Sequence, residues 1–121
     1  MKRKEKAPAF LAIIDTIKEM SDKTYQTCQW VARKNPRDYA CYENTIMYFL
    51  EEAHAVFEGR DEGRIEMIDK QYQMLKRFYD MVDVYDSSED RPESDAEIVV
   101  DPKWNRIREY AKLVYEELTK E

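Results

Sequence analysis

Glycine is nearly missing from this chain, with two in 121 residues. Tight hairpin turns rely on residues that accept positive φ, so an all-β fold is excluded. Histidine occurs once, as His54, and cysteine twice, as Cys28 and Cys41. With one histidine and two glycines, neither a catalytic triad on a nucleophile elbow nor a glycine-rich phosphate loop can be assembled. The cysteines have no metal-ligand spacing and no CxxC spacing. Were the chain to turn near Asn35-Pro36, they would face each other across paired helices, and a reducing compartment favours two thiols over a disulfide. No apolar run approaches the ~18 residues needed to span a bilayer. The stretch Phe10 to Ile14, behind the basic Lys2, Arg3, Lys4 and Lys6, is interrupted by Asp15, Lys18 and Glu19, too soon for a secretion signal. A cytoplasmic protein without membrane association is expected.

What the chain does have is charge and helical periodicity. It is 43% hydrophobic and 38% charged, with a net charge of −6. That composition supports one modest core under a charged surface. The imbalance is local. Residues 86–101 hold seven acids (Asp86, Glu89, Asp90, Glu93, Asp95, Glu97 and Asp101) against Arg91, and the rest is balanced at 19 acids and 19 bases. A single domain over 1–121 follows, with a basic tail at 1–7 and an acidic flexible linker at 87–97.

Apolar spacing predicts an all-α, antiparallel up-and-down bundle of three long helices plus a C-terminal helix after the linker. The first helix is expected from Pro8 to Lys34, on the stripe Phe10, Ile13, Ile14, Ile17, Thr24, Cys28 and Val31. Asn35, Pro36 and Asp38 read as the start of the second, which carries Tyr39, Tyr42, Ile46, Phe49, Leu50, Ala53, Val56 and Phe57 inward and stops at Gly59. The third runs from about Asp61 to Tyr85, with two stripes: Ile65, Ile68, Tyr72, Leu75, Tyr79 and Val82, and beside it Met67, Met74, Phe78 and Met81. Asp101-Pro102 opens the last helix, with Trp104, Ile107, Ala111, Val114 and Leu118 inward. Ile98-Val99-Val100 reads as a short extended stretch pinned to the bundle.

Three constellations could carry chemistry. Glu51-x-x-His54 has the i, i+3 spacing used in di-iron bundles, but only one copy is present, which excludes a monomeric di-iron site. Glu51 and Glu52, followed after a short turn by Glu66-x-x-Asp69, resemble the paired acidic helices of MazG-type all-α nucleotide pyrophosphatases. That resemblance implies a Mg²⁺-dependent enzyme acting on nucleotides, with Glu51, Glu52, His54, Glu66 and Asp69 around the metal. Third, Asp80, Asp83 and Asp86 form an acidic ridge at a helix C-terminus, where the helix dipole favours cations instead.

The ridge continues into Glu89, Asp90, Glu93, Asp95 and Glu97, and these eight acids are the expected partner-binding residues. The reading that follows is a non-enzymatic interaction module, an adaptor or inhibitor. It would engage a basic partner, masking a nucleic-acid-binding surface, and need neither a metal nor another cofactor. Direct nucleic-acid binding is disfavoured, because the dense basic residues are confined to the terminus. Tyr25, Trp30, Tyr48, Tyr110 and Tyr115 fall beside the main stripes. With the second, Met-rich stripe they point to a homodimer.

Overall fold

Proline at the first turn starts α1 (Pro8–Met20), whose Phe10, Ile13, Ile17 and Met20 recur at three- and four-residue steps and are all buried. In this computed structural model, residues 7–33 and 40–120 are described. The helix does not continue to Lys34. Asp22 leaves the helical region at φ −113°, ψ 99°, and its carboxylate accepts the Tyr25 N–H at 2.9 Å. A short acceptor that satisfies the backbone locally competes with the helix ladder and restarts the chain in a new direction. The restart is α2 (Lys23–Tyr25), which runs into a π-helical segment, Gln26–Val31, closed by Ala32 N–H on the Thr27 carbonyl at 3.0 Å. Gln26 and Trp30 are its buried residues.

The cap expected at Asn35, Pro36 and Asp38, and the inward Tyr39, lie outside the described residues. The second long helix, α3 (Tyr42–Asp61), begins later than expected, because Cys41 is extended at φ −153° and its sulfur accepts the Asn44 N–H at 3.4 Å. Tyr42, Ile46, Phe49, Ala53 and Val56 are buried, as the periodicity requires. Gly59 does not end this helix. It lies within it, and its carbonyl accepts the N–H groups of Arg64 at 2.7 Å and Ile65 at 3.0 Å. A Cβ there would lie 2.6 Å from Ile65 Cδ1, so glycine is required for close packing. Positive φ falls at Gly63 instead (77°).

Ile65 and Met67 are buried from this connection, not from a helix, so α4 (Asp69–Ser87) starts eight residues later than Asp61. The expected helical position Ile68 is the residue before α4 and is 62% exposed. Leu75, Phe78, Val82 and Tyr85 face inward. Ser94 then caps α5 (Asp95–Val99) by accepting the Glu97 N–H at 3.2 Å. Ile98 and Val99 are buried, yet they are helical, which corrects the extended conformation expected there. Asp101 and Pro102 open α6 (Pro102–Thr119), which buries Trp104, Ile107, Ala111, Val114 and Leu118 as expected.

The chain is all-helical over the described residues. Helix α1 packs on α3 and α6, and α4 packs on α3 and α6. Ring contacts join α3 to α4: Tyr42 with Tyr85 at 6.2 Å, Phe49 with Phe78 at 5.1 Å, and Phe57 with Tyr72 at 5.6 Å. Edge-to-face rings at these separations add specificity to the buried area. No helix among the described residues is long and apolar enough to cross a membrane.

Candidate interaction surface

The acidic stretch divides into two groups. Asp86, Asp95 and Asp101 turn inward around a cluster of tyrosines. Asp86 accepts the Tyr42 hydroxyl at 3.0 Å, and Asp101 accepts the Tyr85 hydroxyl at 2.7 Å. Asp95 accepts the Tyr42 N–H at 3.1 Å, so its carboxylate lies at the N-terminus of α3. There it satisfies an orphan donor and meets the positive end of the helix dipole. Arg91 completes the arrangement: its guanidinium lies 4.9 Å over the Tyr42 ring and donates to the carbonyls of Asp86 and Pro92 at 3.3 and 3.0 Å. Burial, reinforced by the adjoining carboxylates, pushes the phenols of Tyr42 and Tyr85 well above the ordinary tyrosine range.

The second group faces solvent. Asp80, Asp83, Glu89, Asp90, Glu93 and Glu97 are exposed along the end of α4 and the segment that follows. Glu97 accepts the Ser94 hydroxyl at 2.9 Å. Among the described residues, none of the six forms an ion pair. The ridge Asp80-Asp83-Asp86 is therefore not a single unit, since its last member belongs to the tyrosine cluster.

The alternative metal residues are not brought together. Glu52 points to α1, where its carboxyl meets the Thr16 hydroxyl at 2.5 Å, and burial raises its pKa. His54 points to α4, with its Nε2 3.0 Å from the Tyr79 hydroxyl. Glu51 is exposed. Glu66 lies in the connection before α4, and Asp69 at the start of α4 pairs with Arg60 at 2.6 Å. Because the helix begins only at Asp69, Glu66 and Asp69 do not share a helical face, as the pyrophosphatase pattern requires. Among the described residues, no group of three or more His, Cys, Asp or Glu side chains could hold a metal ion. Cys28 and Cys41 are half-buried free thiols.

Sequence reasoning missed a buried polar network at this end of the bundle. Gln26 is fully buried, and its amide nitrogen donates to the carbonyls of Glu19 and Met20 at 3.0 and 2.8 Å. Its oxygen accepts from Trp104 Nε1 at 3.0 Å and from Arg108 at 3.1 Å. All four hydrogen-bonding positions of that side chain are filled. Arg108, only 2% exposed, also donates to Val99 O at 3.3 Å and Asn105 Oδ1 at 2.8 Å. Burial pushes its pKa down, and the nearby Glu109 carboxylate offsets this only in part. A signal was present, because Arg108 stands at i+4 from Trp104 and i−3 from Ala111 on the inward stripe.

Comparison with protein-family models, with curated proteins and with solved structures returns no counterpart for this chain.

Proposed function

We propose that the chain is a non-catalytic, cytoplasmic protein–protein interaction module, an adaptor or inhibitor, whose acidic end engages a basic partner. The observation that supports this reading is the division of the carboxylates: three close the fold, while six are exposed and form no ion pair among the described residues. Unpaired surface carboxylates of one sign steer an oppositely charged partner and set its orientation more than they add affinity. A surface that binds nucleic acid is basic in the same way, so masking such a surface falls within this role. The module is read as an antiparallel up-and-down bundle. The pairing of Tyr42 with Tyr85 and of Phe57 with Tyr72 supports that order, as do the bonds from Tyr85 to Asp101 and from Gln71 to the Glu117 carbonyl.

The test is titration of a labelled, Arg- and Lys-rich helical peptide against the wild type and a variant carrying Asp83→Lys, Glu89→Lys, Asp90→Lys and Glu93→Lys. Binding should weaken by at least about tenfold in the variant and fall steeply with salt. Unchanged binding would sink the acidic-surface role. A homodimer is the second part of the reading, favoured by Leu11, Met47 and Tyr48, 51%, 47% and 53% exposed on α1 and α3. Sedimentation that shows only a 14.6 kDa species at high concentration would overturn it.

A further inference from the structure

Between α4 and α6 the surface opens into a groove of about 720 Å³. Its floor is apolar, made by Tyr72, Met81, Val84, Tyr85 and Ile107. Val84 is 71% exposed, the most exposed large apolar side chain of the described residues. Around this floor stand Lys76, Arg77, Arg91, Lys103 and Arg106, against a single acid, Asp80. In a chain of net charge −6, that is a local reversal of sign.

The cations are not all held by the fold. Arg91 is committed to Asp86, Pro92 and the Tyr42 ring. Arg77 lies over the Tyr110 ring at 5.6 Å, and Lys76 lies 5.2 Å from the Tyr79 ring. Lys103 and Arg106 make no ion pair among the described residues. An apolar floor flanked by unneutralised cations fits a guest with an apolar stripe between acidic flanks.

The shape narrows the guest further. The α4 lining extends from Tyr72 to Tyr85 in two rows with a four-residue step, over about 20 Å of helix at ~1.5 Å per residue, and continues onto Ser88 just past the helix end. Such an elongated, open groove between two helices suits another helix better than a compact ligand. Of the two rings in this floor, Tyr85 is buried and Tyr72 is already covered by the Arg60 guanidinium at 4.3 Å, so neither offers bases an open stacking platform, which disfavours nucleic acid. A second copy placed across a two-fold axis would set these cations against themselves, which disfavours self-docking.

We infer that the α4–α6 groove is a docking site for an acidic amphipathic helix of a partner protein. Its apolar side chains, at i, i+4, i+7 and i+11, would lie over Met81, Val84 and Ile107. Its flanking Asp and Glu residues would meet Arg77, Lys103 and Arg106. This site adjoins the acidic end, sharing Asp80 and Arg91 with it, but is opposite to it in sign, and its test is independent of the acidic-end test.

Fluorescence anisotropy with a labelled helical peptide of about 18 residues tests the inference, with Leu at those four positions and Glu beside them. The control is the same peptide with Lys in place of every Glu. Wild-type protein should bind the Glu peptide at least about tenfold tighter than the Lys peptide. Val84→Asp, and separately Lys103→Glu with Arg106→Glu, should each weaken binding by at least about tenfold. Lys112→Glu with Lys120→Glu, a charge change equal to that of the double variant but outside the groove, should alter it less than about twofold. All these positions are exposed, so thermal unfolding of each variant should match wild type. The fourfold lysine variant of the acidic end should retain Glu-peptide binding. Equal affinity for the two peptides would overturn the inference. So would tighter binding of a duplex of about 20 base pairs that the same variants abolish. A dimer dispersed by Val84→Asp would assign the groove to a second copy instead and would equally overturn it.

Discussion

Arg108 and Arg106 stand two residues apart on α6 and face opposite environments. Arg108 is buried, and all its described acceptors are neutral oxygens, from Gln26, Val99 and Asn105. Arg106 lines an open groove and has no ion pair among the described residues. The same division runs through the acids: Asp86, Asp95 and Asp101 bind tyrosine hydroxyls and a helix N-terminus, while Asp83, Glu89, Asp90 and Glu93 face water. Residue type therefore does not separate the structural polar groups from the available ones here. Burial and neighbours do. Inside, a polar group is kept only when its hydrogen bonds are complete. Outside, an uncompensated charge costs little and stays free to meet a partner.

The largest effect is expected where the rings of the buried region meet. Trp104 is fully buried and lies within 5.8 Å of Trp30, Tyr42 and Tyr85, centroid to centroid. Trp104→Ala should destabilise by about 4 kcal/mol in urea unfolding, through the cavity and through the lost bond to Gln26. A loss below about 1 kcal/mol would mean that this end is not packed as described.

Gln26→Leu comes next. It keeps the volume but leaves the Arg108 guanidinium and Trp104 Nε1 short of an acceptor, so a loss of about 3 kcal/mol is expected. Arg108→Met in the same background should recover part of that loss, because an apolar pair needs no acceptor. Failure to recover would show that the two side chains are not coupled.

The tyrosine cluster makes a pH prediction. The pKa values of Tyr42 and Tyr85 are raised above the ordinary tyrosine value of about 10, so the folded state holds its protons more tightly than the unfolded chain. That contribution is complete below about pH 10 and is lost as pH rises through the unfolded value toward the folded one. The urea midpoint should be flat from pH 7 to 9 and decline above about 10. The Tyr85→Phe variant, less stable by about 1 kcal/mol at neutral pH, should decline less steeply. An equally steep decline would remove Tyr85 from the account.

The smallest effect sharpens the comparison from the other side. Arg106→Glu should change stability by less than about 0.5 kcal/mol, as expected for an exposed charge outside the packed core. A loss above about 2 kcal/mol would place Arg106 among the structural residues with Arg108.

How much of this was legible follows from particular residues. The inward stripes of α3 and α6 read correctly because packing on one face of an uninterrupted helix imposes a 3.6-residue period. The break at Asp22 did not read, because one side-chain oxygen can end a ladder without disturbing the apolar spacing around it. Ile65 and Met67 mimicked helical positions, since a buried loop needs apolar side chains as much as a helix does. The acidic ridge was visible as composition, but the inward turn of Asp86, Asp95 and Asp101 depends on bonds to Tyr42 and Tyr85, from 16 to 53 residues away along the chain. The alternative carboxylate site rested on Glu66 and Asp69 sharing a helix, and the late start of α4 removed that condition. The groove had no sequence signature, as its lining joins residues 72–88 with residues 103–107.

Composition and periodicity alone determined that this chain is helical, which faces of α3 and α6 are apolar, and where the excess charge lies. These are properties of short windows, set by glycine scarcity, side-chain spacing and the local ratio of acids to bases. Only the tertiary structure decided which acids close the fold, why Arg108 is tolerated inside, and that an acidic protein carries a basic, apolar-floored groove. Each of those depends on groups distant in sequence meeting in a low-dielectric interior or across two packed helices, where the partner and not the residue type sets the outcome.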